Sequence, residues 1–294
     1  MTMRVLITGA NGKTGRAITA ALAVRGAKVR AFIRKAAQWP VLQSLGHANE
    51  HALGDLQDGA SIAAALADCD AIVHIGPPMH PDEVAMTQNA IEAARKRGLR
   101  HFVYYSVMHS LRRDVRHHRL KLDCEEMLVG SDLAYTIMQP ARYMQHLEPL
   151  WKQVTEQEVH AMPFNVDVKF SIADLLDHAA ATATVVVESS VHKYATYEMA
   201  GPEALSQTDM AAIISGVIDR SVTARAVPLE ELRAKAIAAG NNADRVEQML
   251  LMNAHYDHHG FRGNPNVLRM VLGREPTRFE DYVRRLWSQT RKSA

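Results

Sequence analysis

Two groups of residues have the types and spacing for chemistry. The first, Thr8-Gly9-Ala10-Asn11-Gly12-Lys13-Thr14-Gly15, follows the apolar run Val5-Leu6-Ile7 and precedes a segment with Ile18, Leu22 and Val24 at helical spacing. A strand, a glycine turn and a helix in that order suit a pyrophosphate. Gly9 allows the tight turn, Gly12 lets backbone approach a ligand, and Gly15 lets the helix pack on its strand, while the helix start offers free N–H groups to phosphate oxygens. A tight turn without a ligand is the plain alternative. The second group, Arg34 and Lys35, ends a strand expected over 28–35. A ribose 2′-hydroxyl is usually met there by an acid, whereas cations suit a 2′-phosphate. With Lys13 as a third nearby charge, NADP is the expected cofactor, NADPH preferred to NADH; solvated basic residues on an edge loop are the alternative.

These residues need elements to hold them. Apolar runs over 50–56, 71–75, 100–107 and 133–140, separated by helical stretches, add four strands to the first two. The fold class is therefore α/β, a doubly wound parallel Rossmann-type sheet. Ligands of such sheets lie beyond the carboxyl ends of the strands. That places Asp55 and Leu56 beside an adenine, although Asp55 serves equally well as a turn residue. Gly76 and Pro77 face the cofactor ribose, and Ser106, Val107, Met108 and His109 border the nicotinamide. Pro140, which stops the sixth strand, completes the cofactor wall. His117 and Lys121, four apart, share one helix face.

Past Pro140 the pattern changes to an aromatic and apolar segment, then a mostly helical remainder. We expect a nucleotide-binding domain over 1–153, to which parts of 167–200 return, and a smaller, mostly helical substrate domain or lid over 154–294. Tyr143, Met144 and Trp151 would form a substrate pocket with Met252, His255 and Tyr256, with 14 methionines supplying adaptable apolar surface. The cluster His255, His258 and His259 reads as a turn without a His-x-x-x-His helix, so no metal is expected.

Composition narrows the partners. A net charge of +2 with scattered Lys and Arg gives no basic stripe for nucleic acid. No apolar run reaches membrane-spanning length. Two cysteines, Cys69 and Cys124, make no disulfide framework, and no leader is evident at the start, so a cytoplasmic protein is expected.

The segments Thr8–Gly15, Gly54-Asp55, Phe102-Val103-Tyr104-Tyr105-Ser106-Val107, Tyr135-Thr136-Ile137-Met138-Gln139-Pro140 and Gly273-Arg274-Glu275-Pro276 resemble the NmrA-like group of atypical short-chain dehydrogenases/reductases. The resemblance implies that Gly9, Asn11, Gly12, Lys13, Thr14 and Gly15 wrap the pyrophosphate, with Arg34 on the 2′-phosphate. It also implies a catalytic helix on which a tyrosine stands four residues before a lysine. Here the lysine is Lys121 and the tyrosine position holds His117. An NADPH-dependent reductase of a small hydrophobic quinone, dye or aromatic carbonyl is the implied activity, with Lys121 ordering the ribose and His117 or Tyr143 donating the proton. The alternative is a redox sensor that reads NADP(H) without turnover and acts through a protein partner. A small hydrophobic substrate is the expected partner, without nucleic acid or membrane, and a homodimer is left open.

Overall fold

The computed structural model describes residues 2–293, so the outermost residues of the expected 1–153 and 154–294 ranges lie outside the described residues. The chain forms two compact units. One runs through Pro140 and takes in His178–Glu198; the other holds Ala141–Asp177 and the chain from Met199 onward.

In the first unit the apolar runs become β1 (Arg4–Ile7), β2 (Lys28–Ile33), β3 (Glu50–Leu53), β4 (Ala71–His74), β5 (His101–Tyr105) and β6 (Tyr135–Pro140). With the strand Ala195–Met199 at one edge, they make a seven-stranded sheet in the order Ala195–Met199, β6, β5, β4, β1, β2, β3. The pairings among β1 to β6 are parallel. Parallel strands need crossovers, and the helices Lys13–Val24, Gly59–Ala65, Glu83–Lys96 and Arg116–Val129 supply them. Coverage on both faces explains the unbroken apolar runs of β4 and β5, in which every residue is buried. Leu6, Ile72, Phe102 and Tyr104 are fully buried in this core against helix residues such as Ile62 and Ala90.

From β1 the chain builds outward to β2 and β3, then returns to place β4 on the opposite side. The strand order therefore reverses at the paired strands β1 and β4, and the chains leaving their carboxyl ends diverge to either side of a crevice. The strands β2 to β6 are all shorter than expected, and two of them border the site. β2 stops at Ile33 because the Arg34 and Lys35 amides turn to donate to Gln38 Oε1, at 3.0 and 3.1 Å. β5 stops at Tyr105, leaving Ser106 to His109 on a loop.

The second unit departs further from expectation. Beyond its helices Gln207–Ile218, Leu229–Ala238, Ala243–His259, Asn266–Leu272 and Phe279–Ser293, it carries two small sheets. Glu203–Leu205, Phe170–Ala173 and Arg142–Tyr143 form one; Val159–Met162 pairs in parallel with Thr223–Ala226 in the other. These strands have two to four residues, too short for a period-2 pattern to stand out from the sequence. Ser206 and Asp209 form a capping box at the start of Gln207–Ile218.

Candidate functional site

The crevice between β1 and β4 is an open cleft of about 1300 Å³, lined by the glycine loop, Arg34, Asp55, Leu56, Gly76 and Pro77. Gly9 has φ +62°, and its carbonyl accepts from the Gly12 N–H at 2.9 Å. A Cβ on Gly15 would stand 2.3 Å from the Gly9 oxygen and 2.7 Å from Ala10 Cα, so a side chain there would push the loop off the helix. Helix Lys13–Val24 starts at Gly12 with no side-chain cap on its N–H groups, which leaves that end disposed toward an anion. Lys13 and Arg34 are exposed at the cleft rim. The Asp55 carboxylate accepts from the Gln57 N–H at 3.0 Å, a turn contact, in a residue that also lines the cleft. A loop that only glycine fits, an uncapped helix start and cations at the rim together suit a phosphorylated dinucleotide.

Beside this cleft lies a buried polar group that the sequence did not announce. Lys121 Nζ, nearly inaccessible, sits 2.6 Å from Glu83 Oε1 and donates to the Tyr105 carbonyl at 3.0 Å, over the Tyr104 ring. Glu83 is fully buried. Its Oε1 lies 3.1 Å from where a Gly76 Cβ would be, so the carboxylate backs directly onto the cleft loop. A carboxylate in the first turn of a helix is ordinary dipole placement; nothing in the sequence distinguished Glu83. His74, bonded between the Thr8 and Thr87 hydroxyls, is pushed down to about 3 by burial and by Lys121, so it is a neutral structural imidazole.

His117 changes the expected acid–base picture. Its spacing from Lys121 suggested an imidazole titrating near neutrality, but burial first, then Lys121 and His118, lower its pKa to about 3. Its Nδ1 is buried without a hydrogen-bond partner among the described residues. It is therefore an uncharged ring at neutral pH. Ser106 also faces away from solvent: its hydroxyl donates to Glu125, which accepts from Ser110 at 3.0 Å and from Gln139 Nε2. Burial raises the Glu125 pKa despite these bonds. The Lys121–Glu125 spacing of four residues is the signal that could have flagged this carboxylate.

Other expected residues scatter. Met108 is fully buried, its N–H bonded to the Pro140 carbonyl at 3.0 Å. His109, at φ +59°, pairs through Nε2 with Glu198 at 3.0 Å. Val107 is half-buried on the same loop. In the second unit, Tyr143 and Met144 line a cavity with Arg142, Phe164 and Phe170. Tyr256 packs against Phe170 and Phe261. Trp151 is buried, donating from Nε1 to Thr290 at 2.8 Å and resting on Trp287. Met252 and His255 are half-buried. The histidine cluster is helical, contrary to the expected turn, because Ala243–His259 continues to its end and stacks His255 on His259 at 4.5 Å. Even so, among the described residues no three His, Cys, Asp or Glu side chains group as metal ligands.

The doubly wound sheet with its glycine cleft at the switch point defines a dinucleotide-binding protein of the Rossmann type. The chain belongs to the NmrA-like family, which it matches over residues 1–283. It is 26% identical over 281 residues to the NAD(P)H azoreductase of Xenophilus azovorans, covering 95% of this chain and 96% of that one. In fold it is similar to an NADPH-dependent quinone oxidoreductase from Escherichia coli solved with NADPH, at TM-score 0.83, 22% identity, and 96% and 99% coverage. It is likewise similar to NmrA, a negative transcriptional regulator solved with NAD, at TM-score 0.82, 17% identity, and 99% and 97% coverage. No helix among the described residues is long and apolar enough to cross a membrane.

Proposed function

We infer that the protein is an NAD(P)H-dependent oxidoreductase, and we propose that it reduces a small hydrophobic acceptor of quinone or dye type with NADPH. The glycine cleft carries this reading: its loop, uncapped helix start and cationic rim fit the phosphates of a 2′-phosphorylated dinucleotide. The names of the azoreductase and quinone oxidoreductase relatives support the reaction class. When bound, the nicotinamide supplies hydride.

The residues of the chain divide the remaining work. In this reading the amides of Gly9 to Gly15 hold the pyrophosphate, Asn11 and Thr14 border it, and Lys13 with Arg34 takes the 2′-phosphate. Asp55 and Leu56 lie against the adenine, while Gly76, Pro77, Ser106, Val107 and Pro140 form the wall. Lys121 is a positioning residue: anchored by Glu83 and the Tyr105 carbonyl, it keeps a fixed positive charge behind the site. His117, held neutral, offers an N–H and no ready acidic proton. That deficit favours acceptors whose reduced form is a stabilised anion, because a simple ketone needs proton donation worth about 10² to 10⁴-fold in rate. Tyr143 is the candidate proton donor.

Steady-state NADPH oxidation against quinones, dyes and simple ketones tests the reading. Turnover with the first two and little with ketones is expected. Tight NADPH binding with no turnover on any acceptor would refute it in favour of a sensor, a reading that the likeness to a regulator's fold keeps specific.

A further inference from the structure

The second unit contains a half-buried cation that meets no anion among the described residues. Arg142 lies in the strand Arg142–Tyr143, paired in register with Ile172 and Ala173, so its backbone is fixed by the small sheet. Among the described residues its guanidinium meets no carboxylate. Its polar contact is Nη2 with Met162 Sδ at 4.0 Å, too long and too soft to satisfy a charged fork of five donors. Phe164 and Phe170 cover the cation, their ring centroids 5.0 and 5.6 Å from Cζ, and the two rings pack on each other at 4.7 Å. Stacking leaves the edge of the guanidinium, where its N–H groups point, as the part still to be satisfied.

The same cavity gathers other unspent polar atoms. His160 and Gln207 line it, both at least nine-tenths buried, and His160 Nδ1 and Gln207 Oε1 have no hydrogen-bond partner among the described residues. Buried polar atoms are normally paired, so exceptions that converge on one cavity need a reason. Most of the remaining lining is aromatic, thioether or aliphatic, including Tyr143, Phe164, Phe170, Met144 and Met210, and His146 also borders it. The cavity is narrow, and flexible methionines are the side chains that can shift to admit a ring.

We propose that this cavity of the second unit binds a small aromatic anion, an aryl carboxylate or sulfonate. Its charged group takes the edge of Arg142, with His160 and Gln207 beside it, and its ring lies among Phe164, Phe170 and the methionines. A planar two-oxygen acid matches the guanidinium fork in a bidentate pair, and a flat ring matches the aromatic walls. The site requires no turnover and no cofactor, so its failure and the failure of the reductase reading are separate results.

Calorimetric titration of the full chain with benzoate, 2-naphthoate and 2-naphthalenesulfonate, against benzamide and 2-naphthol as neutral counterparts, tests this. The anions are expected to bind at least about tenfold tighter than their neutral counterparts, the ratio expected of a charge-assisted pair. Arg142→Gln is expected to remove that preference, and Arg142→Lys to retain part of it, while NADPH affinity reports that each variant is folded. Binding of carboxylates alone or of sulfonates alone identifies the anion and upholds the site. Equal affinity for anionic and neutral probes, or no binding of any anion, overturns the proposal even if neither variant folds, since the wild-type panel alone decides it.

Discussion

At the scale of single residues, chemistry here depends on how each charge is held. Arg34 reaches the cleft with its guanidinium exposed, so its contribution to 2′-phosphate recognition is charge-assisted but screened. Arg34→Ala is expected to raise the KM for NADPH about tenfold, a loss of about 1.4 kcal/mol. The KM for NADH should stay nearly constant, and kinetics with the two cofactors measure the ratio. The Lys121–Glu83 pair is buried on both sides. Glu83→Gln leaves an ammonium with no anion and is expected to cost about 3 to 5 kcal/mol of stability. Replacing both partners, Glu83→Leu with Lys121→Met, should recover much of that loss. Thermal unfolding of the single and double variants separates the two results, and a double variant as unstable as the single one would contradict the pairing.

At the scale of elements, two close approaches decide whether a loop and a small sheet form. Gly15 packs the first helix onto the glycine loop with no room for a methyl group. Gly15→Ala should abolish NADPH binding in a titration followed by fluorescence, while the chain stays folded. Gly201 is tighter: a Cβ there would stand 1.7 Å from the Ile172 carbonyl oxygen, on the strand that pairs with Arg142–Tyr143. Gly201→Ala should therefore destabilise the second unit by several times the roughly 1 kcal/mol of an average substitution, read by proteolysis and melting. Gly15 was legible from its place in a strand–turn–helix pattern. Gly201 was not, because its need comes from a strand some thirty residues away in sequence.

At the scale of the whole molecule, buried neutral imidazoles set the response to acid. Burial is the first cause holding His74 and His117 near 3 and His101 and His160 near 4, against about 6.5 in the unfolded chain. Below pH 6.5 the unfolded state binds these protons and the folded state does not. Stability is therefore full above pH 6.5 and is lost as pH falls toward 4, each group contributing up to about 1.4 kcal/mol per pH unit. Glu125, raised by burial, acts in the opposite sense but is one group against four. Melting temperature measured from pH 8 to 4 should fall steeply below 6.5; a flat profile would contradict this burial.

The sequence by itself determined the doubly wound sheet and the cofactor cleft, since both depend on local order: apolar strand, glycine turn, helix, then cations at the end of the next strand. What only the tertiary structure decided was the state of the charged and titratable side chains. His117 and Lys121 share a helix face in any reading, yet burial holds the His117 ring neutral and Lys121 pairs with Glu83, which a different helix brings beneath it. Arg142 is one of 34 basic residues in the sequence. It becomes singular only when Phe164 and Phe170 fold over it and no acid follows. Local geometry follows from neighbours along the chain, whereas solvation and charge pairing follow from neighbours across it.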